Sequence, residues 1–266
     1  RGEVGNNVPL DAVLPRSIKP PDWDRVPVDA AEVPSFVILQ HYWYYRASGD
    51  LTLIRWHWGM LRRCLLGQAV DAKGLLPFHG DETYRFPGYE LFNAGRDIRD
   101  WVCLETKSAD SAFEYVAAAR ALAEMASALG KGSEAAEYKA LAARILAATE
   151  ANYWQPDRGF YAPARSDFSD QVHRYPFANI NLRPLWIGYG SAQDSRQQQN
   201  VLAALRHLWK PSGTVKTTPG CGYYVGMTPG YVLWNLAELR HPAARDALKG
   251  LLASAESSGG YAEMNT

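Results

Sequence analysis

The sequence has no surplus of either charge. Its 266 residues carry 28 lysines and arginines against 28 aspartates and glutamates, so no long-range field draws it to nucleic acid or to an anionic membrane. No apolar run approaches the ~18–20 residues that a membrane-spanning helix needs. The three cysteines, Cys64, Cys103 and Cys221, are too few and too scattered for a disulfide framework, and no CxxC pair suggests zinc. A basic-then-apolar targeting segment is missing from the N-terminus. So are a P-loop, a GxSxG elbow and an HExxH pair, and no repeat of fixed length marks a solenoid. What remains is a soluble globular protein of the cytoplasm or periplasm rather than a disulfide-rich extracellular one. Nothing in it calls for a cofactor or a metal.

Aromatic residues, by contrast, are plentiful. There are 9 Trp and 15 Tyr, more than a plain helical scaffold needs. Residues 1–33 are proline-rich, with Pro20-Pro21 at their centre, and read as an extended lead-in or linker because proline fixes φ and removes a backbone donor. Residues 34–266 read as one all-α domain. A helix runs from about Pro34 to Gly49 and a second from Asp50 to about Val70, followed by a long loop over 72–104. Ser111 and Glu114 form a capping-box pattern ahead of the stripe Phe113, Val116, Leu122, Met125 and Leu129, which stops at Gly130. Ser133 caps a partner helix bearing Tyr138, Leu141, Ala142, Ile145, Leu146 and Tyr153 at i, i+3, i+4, i+7 spacing.

The alternation continues along the chain. A short strand pair is predicted around Gly159-Phe160-Tyr161, then a short helix near 182–189 and a helix carrying Val201, Leu202, Leu205, Leu208 and Trp209. Thr228-Pro229 and His241-Pro242 each read as a helix start. The last helix is predicted to bury Ala244, Leu248, Leu251, Leu252 and Ala255, and Trp209 and Trp234 are assigned to the core. This gives about eight helices in four hairpins. The long loops all follow the second helix of a pair, so they should collect on one end of the stack, where long loops are usually functional.

The chemistry should lie in those loops. Asp81 and Glu82 sit beside His79, Tyr84 and Arg85; a carboxyl packed among rings loses solvation, stays protonated and can act as a general acid. The competing reading is a solvated turn or an ion pair with Arg85. Glu263 lies in another loop, Gly259-Gly260-Tyr261-Ala262-Glu263. Two carboxyls on one rim are what glycosidic cleavage needs, one to protonate the leaving oxygen and one to activate water. Trp101, Tyr84, Tyr161, Tyr175, Tyr223 and Tyr224 are candidates to stack on sugar rings, with His173 and Arg174 beside Tyr175 as hydrogen-bonding groups. His173 has no second ligand at metal spacing. Cys221 has no identifiable base and reads as inert.

The succession His41-Tyr42-Trp43-Tyr44-Tyr45-Arg46-Ala47-Ser48-Gly49-Asp50, then Gly74-Leu75-Leu76-Pro77 leading into Gly80-Asp81-Glu82-Thr83-Tyr84, resembles the six-hairpin glycosidases. So do Asn152-Tyr153-Trp154 before Gly159-Phe160-Tyr161, and Thr228-Pro229-Gly230-Tyr231 leading to the closing Gly-Gly-Tyr-Ala-Glu. That superfamily holds glucoamylases, trehalases, alpha-L-rhamnosidases and processing alpha-glucosidases. The resemblance implies an (α/α)6 toroid acting on carbohydrate by inversion, with Asp81 or Glu82 as acid and Glu263 as base. Six hairpins need twelve helices, so it also implies a partial domain that another chain or fragment completes. Sugar phosphorylase, polysaccharide lyase or epimerase chemistry on the same fold remains an alternative, the latter two through His79, His173 and Tyr175. A non-catalytic carbohydrate-binding scaffold is another.

Overall fold

The computed structural model describes residues 33–76, 106–166, 172, 175–210, 215–216, 224–225, 228–253 and 264–265. In chain order the elements are α1 (Val33–Ser48), α2 (Thr52–Leu66), β1 (Thr106–Ser108), α3 (Ala109–Ala128), α4 (Gly132–Tyr153), β2 (Trp154–Gln155), β3 (Phe160–Tyr161), β4 (Ala164–Ser166), α5 (Ala178–Asn181), α6 (Pro184–Ile187), α7 (Ser195–Leu208), β5 (Tyr224–Val225), α8 (Thr228–Glu238), α9 (Ala244–Ala253) and β6 (Met264–Asn265). The strands form three two-stranded antiparallel ribbons, β1–β4, β2–β3 and β5–β6. The architecture is all-α, and the ribbons serve as short ties between helices. Among the described residues no helix is long and apolar enough to cross a membrane. The chain divides into two units, Arg1–Asn152 with Ala164–Gln171, and Tyr153–Pro163 with Val172–Thr266.

The first unit is built around α3. From Ala109 to Ala126 only Arg120 and Glu124 escape burial, because alanine dominates the helix and lets neighbours approach from every side. A helix buried all round must sit inside its unit rather than on it. Burial pushes the Tyr115 phenol up to about 12. α1 turns into α2 through Gly49, at φ +72°, and α2 buries Ile54, Trp58, Leu61 and Leu65 at helical spacing. Between the two helices, His41 Nδ1 lies 2.7 Å from the Val37 carbonyl and His41 Nε2 lies 2.9 Å from His57 Nδ1. A carbonyl can only accept, so His41 donates through Nδ1 and accepts from His57 through Nε2.

α4 buries Ala135, Tyr138, Ala142, Ile145 and Thr149, leaving Leu141 and Leu146 half-buried. Its Glu134 accepts from Trp58 Nε1 at 3.3 Å and Tyr138 OH at 3.1 Å, and pairs with Arg62 at 3.0 Å and Lys131 at 3.4 Å. That network ties α4 to α2. Gly74 closes the turn after α2 at φ +81°, where a Cβ would come within 3.0 Å of Ala148 Cβ.

The start of α3 differs from the predicted capping box. The helix begins at Ala109, so Ser111 and Glu114 are buried within its first turns and Ser108 occupies the N-cap position in an extended conformation. The reason is β1, whose pairing with β4 carries the chain in register to Ser108↔Ala164. Helix nucleation therefore comes three residues earlier than the Ser-x-x-Glu pattern suggests.

In the second unit, β2 and β3 form the predicted hairpin, with Trp154 opposite Tyr161 and Gln155 opposite Phe160. The core gathers Ala178, Leu182, Leu185, Val201, Ala204, Leu205, Leu208, Val232, Leu236 and Ala247, with Trp209 packed against it. α7 is capped by Asp194, whose carboxylate accepts from Arg196 N at 2.9 Å. Four expectations change here. The short helix predicted near 182–189 is the single turn α6, opened by Pro184, and another single turn, α5, precedes it. α9 starts at Ala244, because His241 accepts from Ala243 N at 3.2 Å and holds 241–243 as a turn. It buries Ala247 and Gly250, whose small side chains allow close approach, and leaves Leu248 and Leu252 exposed. Trp234 is also exposed rather than core, since Val232, Asn235 and Leu236 take the inward side of α8.

Candidate active site

Most of the predicted site lies outside the described residues: Asp81, Glu82 and Glu263, and with them His79, Tyr84, Arg85, Trp101, His173, Arg174 and Tyr223. What the structure supplies is the frame to which their segments attach. In the first unit, segment 77–105 enters β1 at Thr106, and segment 167–171 leaves β4 at Ser166, the register partner of Thr106. Cross-strand neighbours stand ~5 Å apart, so both segments join the ribbon at one end. In the second unit Tyr224 pairs with Asn265 and Val225 with Met264. Tyr224 follows Tyr223 directly and Met264 follows Glu263 directly. The β1–β4 ribbon thus takes up the segment that carries Asp81 and Glu82, while Tyr223 and Glu263 precede the two strands of β5–β6 at opposite ends of that ribbon.

Two candidate rings are described. Tyr175 is 54% exposed. Tyr161 is fully buried, with its ring edge-on to Trp154 and Tyr189 and its hydroxyl accepting from Gln197 Nε2 at 3.1 Å. The structure gives Tyr161 a packing role, since no face of it reaches solvent. Of Tyr224 the structure gives the backbone pairing in β5.

Beside the first ribbon lies a polar cluster that sequence reading missed. Ser108, Asp110, Ser111 and Glu114 are all buried at the head of α3, and Lys107 beside them places its Nζ 3.8 Å from an Asp71 carboxylate oxygen. A buried carboxylate is costly unless hydrogen bonds replace its water. Asp110 accepts from the backbone N–H of Ser111 at 2.9 Å and from the Ser108 hydroxyl. The unused N–H groups and dipole of the helix N-terminus also favour negative charge there. Glu114 lies one turn on, along the same side of the helix as Asp110. The signal was present in sequence: a helix with small apolar residues on every face has to be central, which makes polar residues at its head buried ones. The capping-box pattern hid it.

The second unit holds a network of buried amides. Asn200 Oδ1 accepts from Tyr161 N at 3.2 Å and from Asn181 Nδ2 at 3.0 Å, while Asn200 Nδ2 donates to the Asn181 carbonyl at 2.7 Å. Asn181 also donates to the Tyr161 carbonyl and accepts from Phe177 N, both at 2.8 Å. Thr228 donates to Asn179 at 3.3 Å, and Asn235 to the carbonyls of Leu182 and Tyr231 at 2.7 Å each. At α5, a single turn too short to pair all of its own backbone, these bonds take Phe177 N before it and the Asn181 and Leu182 carbonyls at its end. Trp186 and Tyr231 then meet with ring centroids 5.5 Å apart. Among the described residues no three His, Cys, Asp or Glu side chains stand close enough together to hold a metal.

Residues 80–219, more than half of the chain, match the mannosylglycerate hydrolase MGH1-like glycoside hydrolase domain. The chain belongs to this family. The matched span of the MGH1-like domain takes in the Asp81-Glu82 loop, both ribbons of the β1–β4 and β2–β3 type, and the amide network around Asn181 and Asn200. Solved structures agree on the architecture. A rhamnosidase from Klebsiella oxytoca matches with TM-score 0.57 and 14% identity over 85% of this chain and 37% of its own. The family 78 rhamnosidase of Bacillus sp. GL1 matches with TM-score 0.61 and 16% identity over 88% and 24%. Neutral trehalase from Saccharomyces cerevisiae matches with TM-score 0.51 and 12% identity over 74% and 50%. The chain therefore spans half or less of the length of these three proteins. At such identities the likeness carries the fold, that of the helical-barrel glycosidases, and membership of the six-hairpin superfamily is borne out. No curated protein sequence matches the chain.

Proposed function

We propose that the protein is an inverting glycoside hydrolase, with Asp81 or Glu82 protonating the glycosidic oxygen and Glu263 drawing a proton from the attacking water. The family match over residues 80–219 carries this reading, because it spans the loop holding both acid candidates. The ribbons support it further, since segment 77–105, which bears both acid candidates, enters β1, and Glu263 directly precedes β6. Inversion needs the acid and base carboxyls ~6.5–9.5 Å apart, leaving room for water between the base and the anomeric carbon. The bond from that carbon to the leaving oxygen breaks as the water oxygen attacks from the opposite face. The family is named for a mannosylglycerate hydrolase and the matched structures are rhamnosidases and a trehalase, so small glycosides are the substrate class to test first. The scattered cysteines suit a soluble cytoplasmic or periplasmic setting.

The test is a set of single substitutions, Asp81→Asn, Glu82→Gln and Glu263→Gln, in the full-length protein against a panel of aryl glycosides and disaccharides. Glu263→Gln and one of the other two should each lower kcat by ~10²–10⁴. If all three variants keep the wild-type rate on a hydrolysed substrate, the assignment fails.

A further inference from the structure

Segment 77–105, which carries both acid candidates, has its two ends fixed beside each other. Ahead of it, Asp71 folds the chain into a tight turn. Its Oδ1 accepts from Lys73 N and Leu75 N at 2.8 Å each, and its N–H donates to the Leu75 carbonyl at 2.9 Å. Gly74 lets that turn lie against Ala148 of α4, and Leu75 and Leu76 are buried. Behind the segment, Ser108 N donates to the Leu76 carbonyl at 3.3 Å. The second oxygen of Asp71, Oδ2, lies 3.8 Å from Lys107 Nζ. One carboxylate thus holds the chain on both sides of the segment.

Stability alone does not account for Lys107. It is buried in β1, where a lysine gives up hydration that an apolar side chain would not miss. Its register partner is Arg165, and like charges directly opposite destabilise a ribbon. Only three residue pairs make up that ribbon, so its ladder offers little resistance to a slip. We propose that Asp71 and Lys107 are positioning residues for the acid carboxyl, their ion pair setting the register in which β1 receives segment 77–105. Arg165, which donates to Asn152 Oδ1, holds the opposite strand. A slip of one residue would turn Lys107 to the other face and move the end of the segment by ~3.4 Å. A misplacement of ~1 Å can already cost ~10²-fold in rate. The inference rests on the hydrolase reading and names what keeps its acid in place.

Leaving-group dependence tests it, because 2,4-dinitrophenolate departs without a proton whereas methanol needs one from the acid. The full-length protein is assayed on the methyl and 2,4-dinitrophenyl glycosides of the sugar hydrolysed in the panel above. Asp71→Asn keeps the oxygen that holds the turn and removes the charge; Lys107→Met removes the other charge and keeps the stem. Each single variant leaves one charge without the other and should lower the Tm, whereas Asp71→Asn/Lys107→Met together should bring it back toward wild type. In all three, kcat on the methyl glycoside should stay at least tenfold down with KM unchanged, while the dinitrophenyl glycoside is hydrolysed within threefold of the wild-type rate. A double variant whose kcat on the methyl glycoside recovers with its Tm would overturn the proposal, as would equal losses on the two substrates. If the wild type hydrolyses nothing in the panel, or Asp81→Asn and Glu82→Gln both keep its rate, the hydrolase reading fails and this inference falls with it.

Discussion

The two units reach a packed state by different means. In the first, a 20-residue helix, α3, is buried almost throughout by alanine and a few large side chains, and its buried polar groups are gathered at one end. In the second, the helices α5 and α6 are single turns of four residues, and side-chain amides extend the bonding around α5: Asn200 and Asn235 take the carbonyls of Asn181 and Leu182 at its end, and Asn181 takes that of Tyr161. The first unit should therefore be sensitive to lost volume and the second to lost hydrogen bonds. Each unit also holds a two-stranded ribbon next to a segment that carries proposed site residues.

Substitutions can break this contrast or sharpen it. The largest effect is expected at Phe113, fully buried in α3: Phe113→Ala should destabilise by ~3–5 kcal/mol through lost burial and the cavity left behind, read by denaturant unfolding. Next comes Asn200→Leu, which keeps the branched outline of the side chain but none of its polar atoms, strands the Tyr161 amide and the Asn181 side chain, and should cost at least ~1–3 kcal/mol. If this apolar exchange were neutral while Phe113→Ala was not, the second unit would depend on packing as the first does. Asp194→Ala removes the cap of α7 and should cost ~1 kcal/mol.

Glu134→Gln is the smallest, below ~1 kcal/mol, because the group lies near the surface, and its value is in the pH dependence. Partial burial opposes ionisation of Glu134, but hydrogen bonds from Tyr138 and Lys131 and the charge of Arg62 prevail and hold its carboxyl below the ordinary range. A carboxyl depressed in the folded state stabilises above its unfolded value of about 4.3 and loses that contribution as pH falls through the lower folded value. The stability gap between wild type and Glu134→Gln should thus be full near neutral pH and close below about pH 4. A gap that widens on acidification would contradict the network drawn here.

How much was legible in the sequence follows from the same contrast. Where helices are long, spacing alone located them: α3 ends in the turn before Gly130, at φ +74°, and α4 buries the stripe from Tyr138 to Ile145. The β2–β3 hairpin was legible from Gly159 and its neighbours. Periodicity could not tell which of two apolar faces of α9 turns inward. The larger one, Leu248 and Leu252, lost to Ala247 and Gly250, because helices approach most closely over small residues. Nor could it see that Asn181 and Asn200, 19 residues apart, complete each other's hydrogen bonds. At the candidate site, the Ser111-Glu114 pattern pointed to a helix start but concealed a buried Asp110, whose meaning depends on α3 being central. Polar residues are read locally in a sequence, whereas their burial is decided by partners far along the chain.

The central claim, hydrolysis by inversion, is tested most directly by proton NMR of the full-length protein acting on a glycoside of defined anomeric configuration, recorded before mutarotation. The account predicts that the first sugar released has the opposite configuration to the substrate, and that Glu263→Gln abolishes its release. First-formed product of the same configuration would contradict it, since that outcome requires a covalent glycosyl-enzyme and carboxyls only ~5–5.5 Å apart.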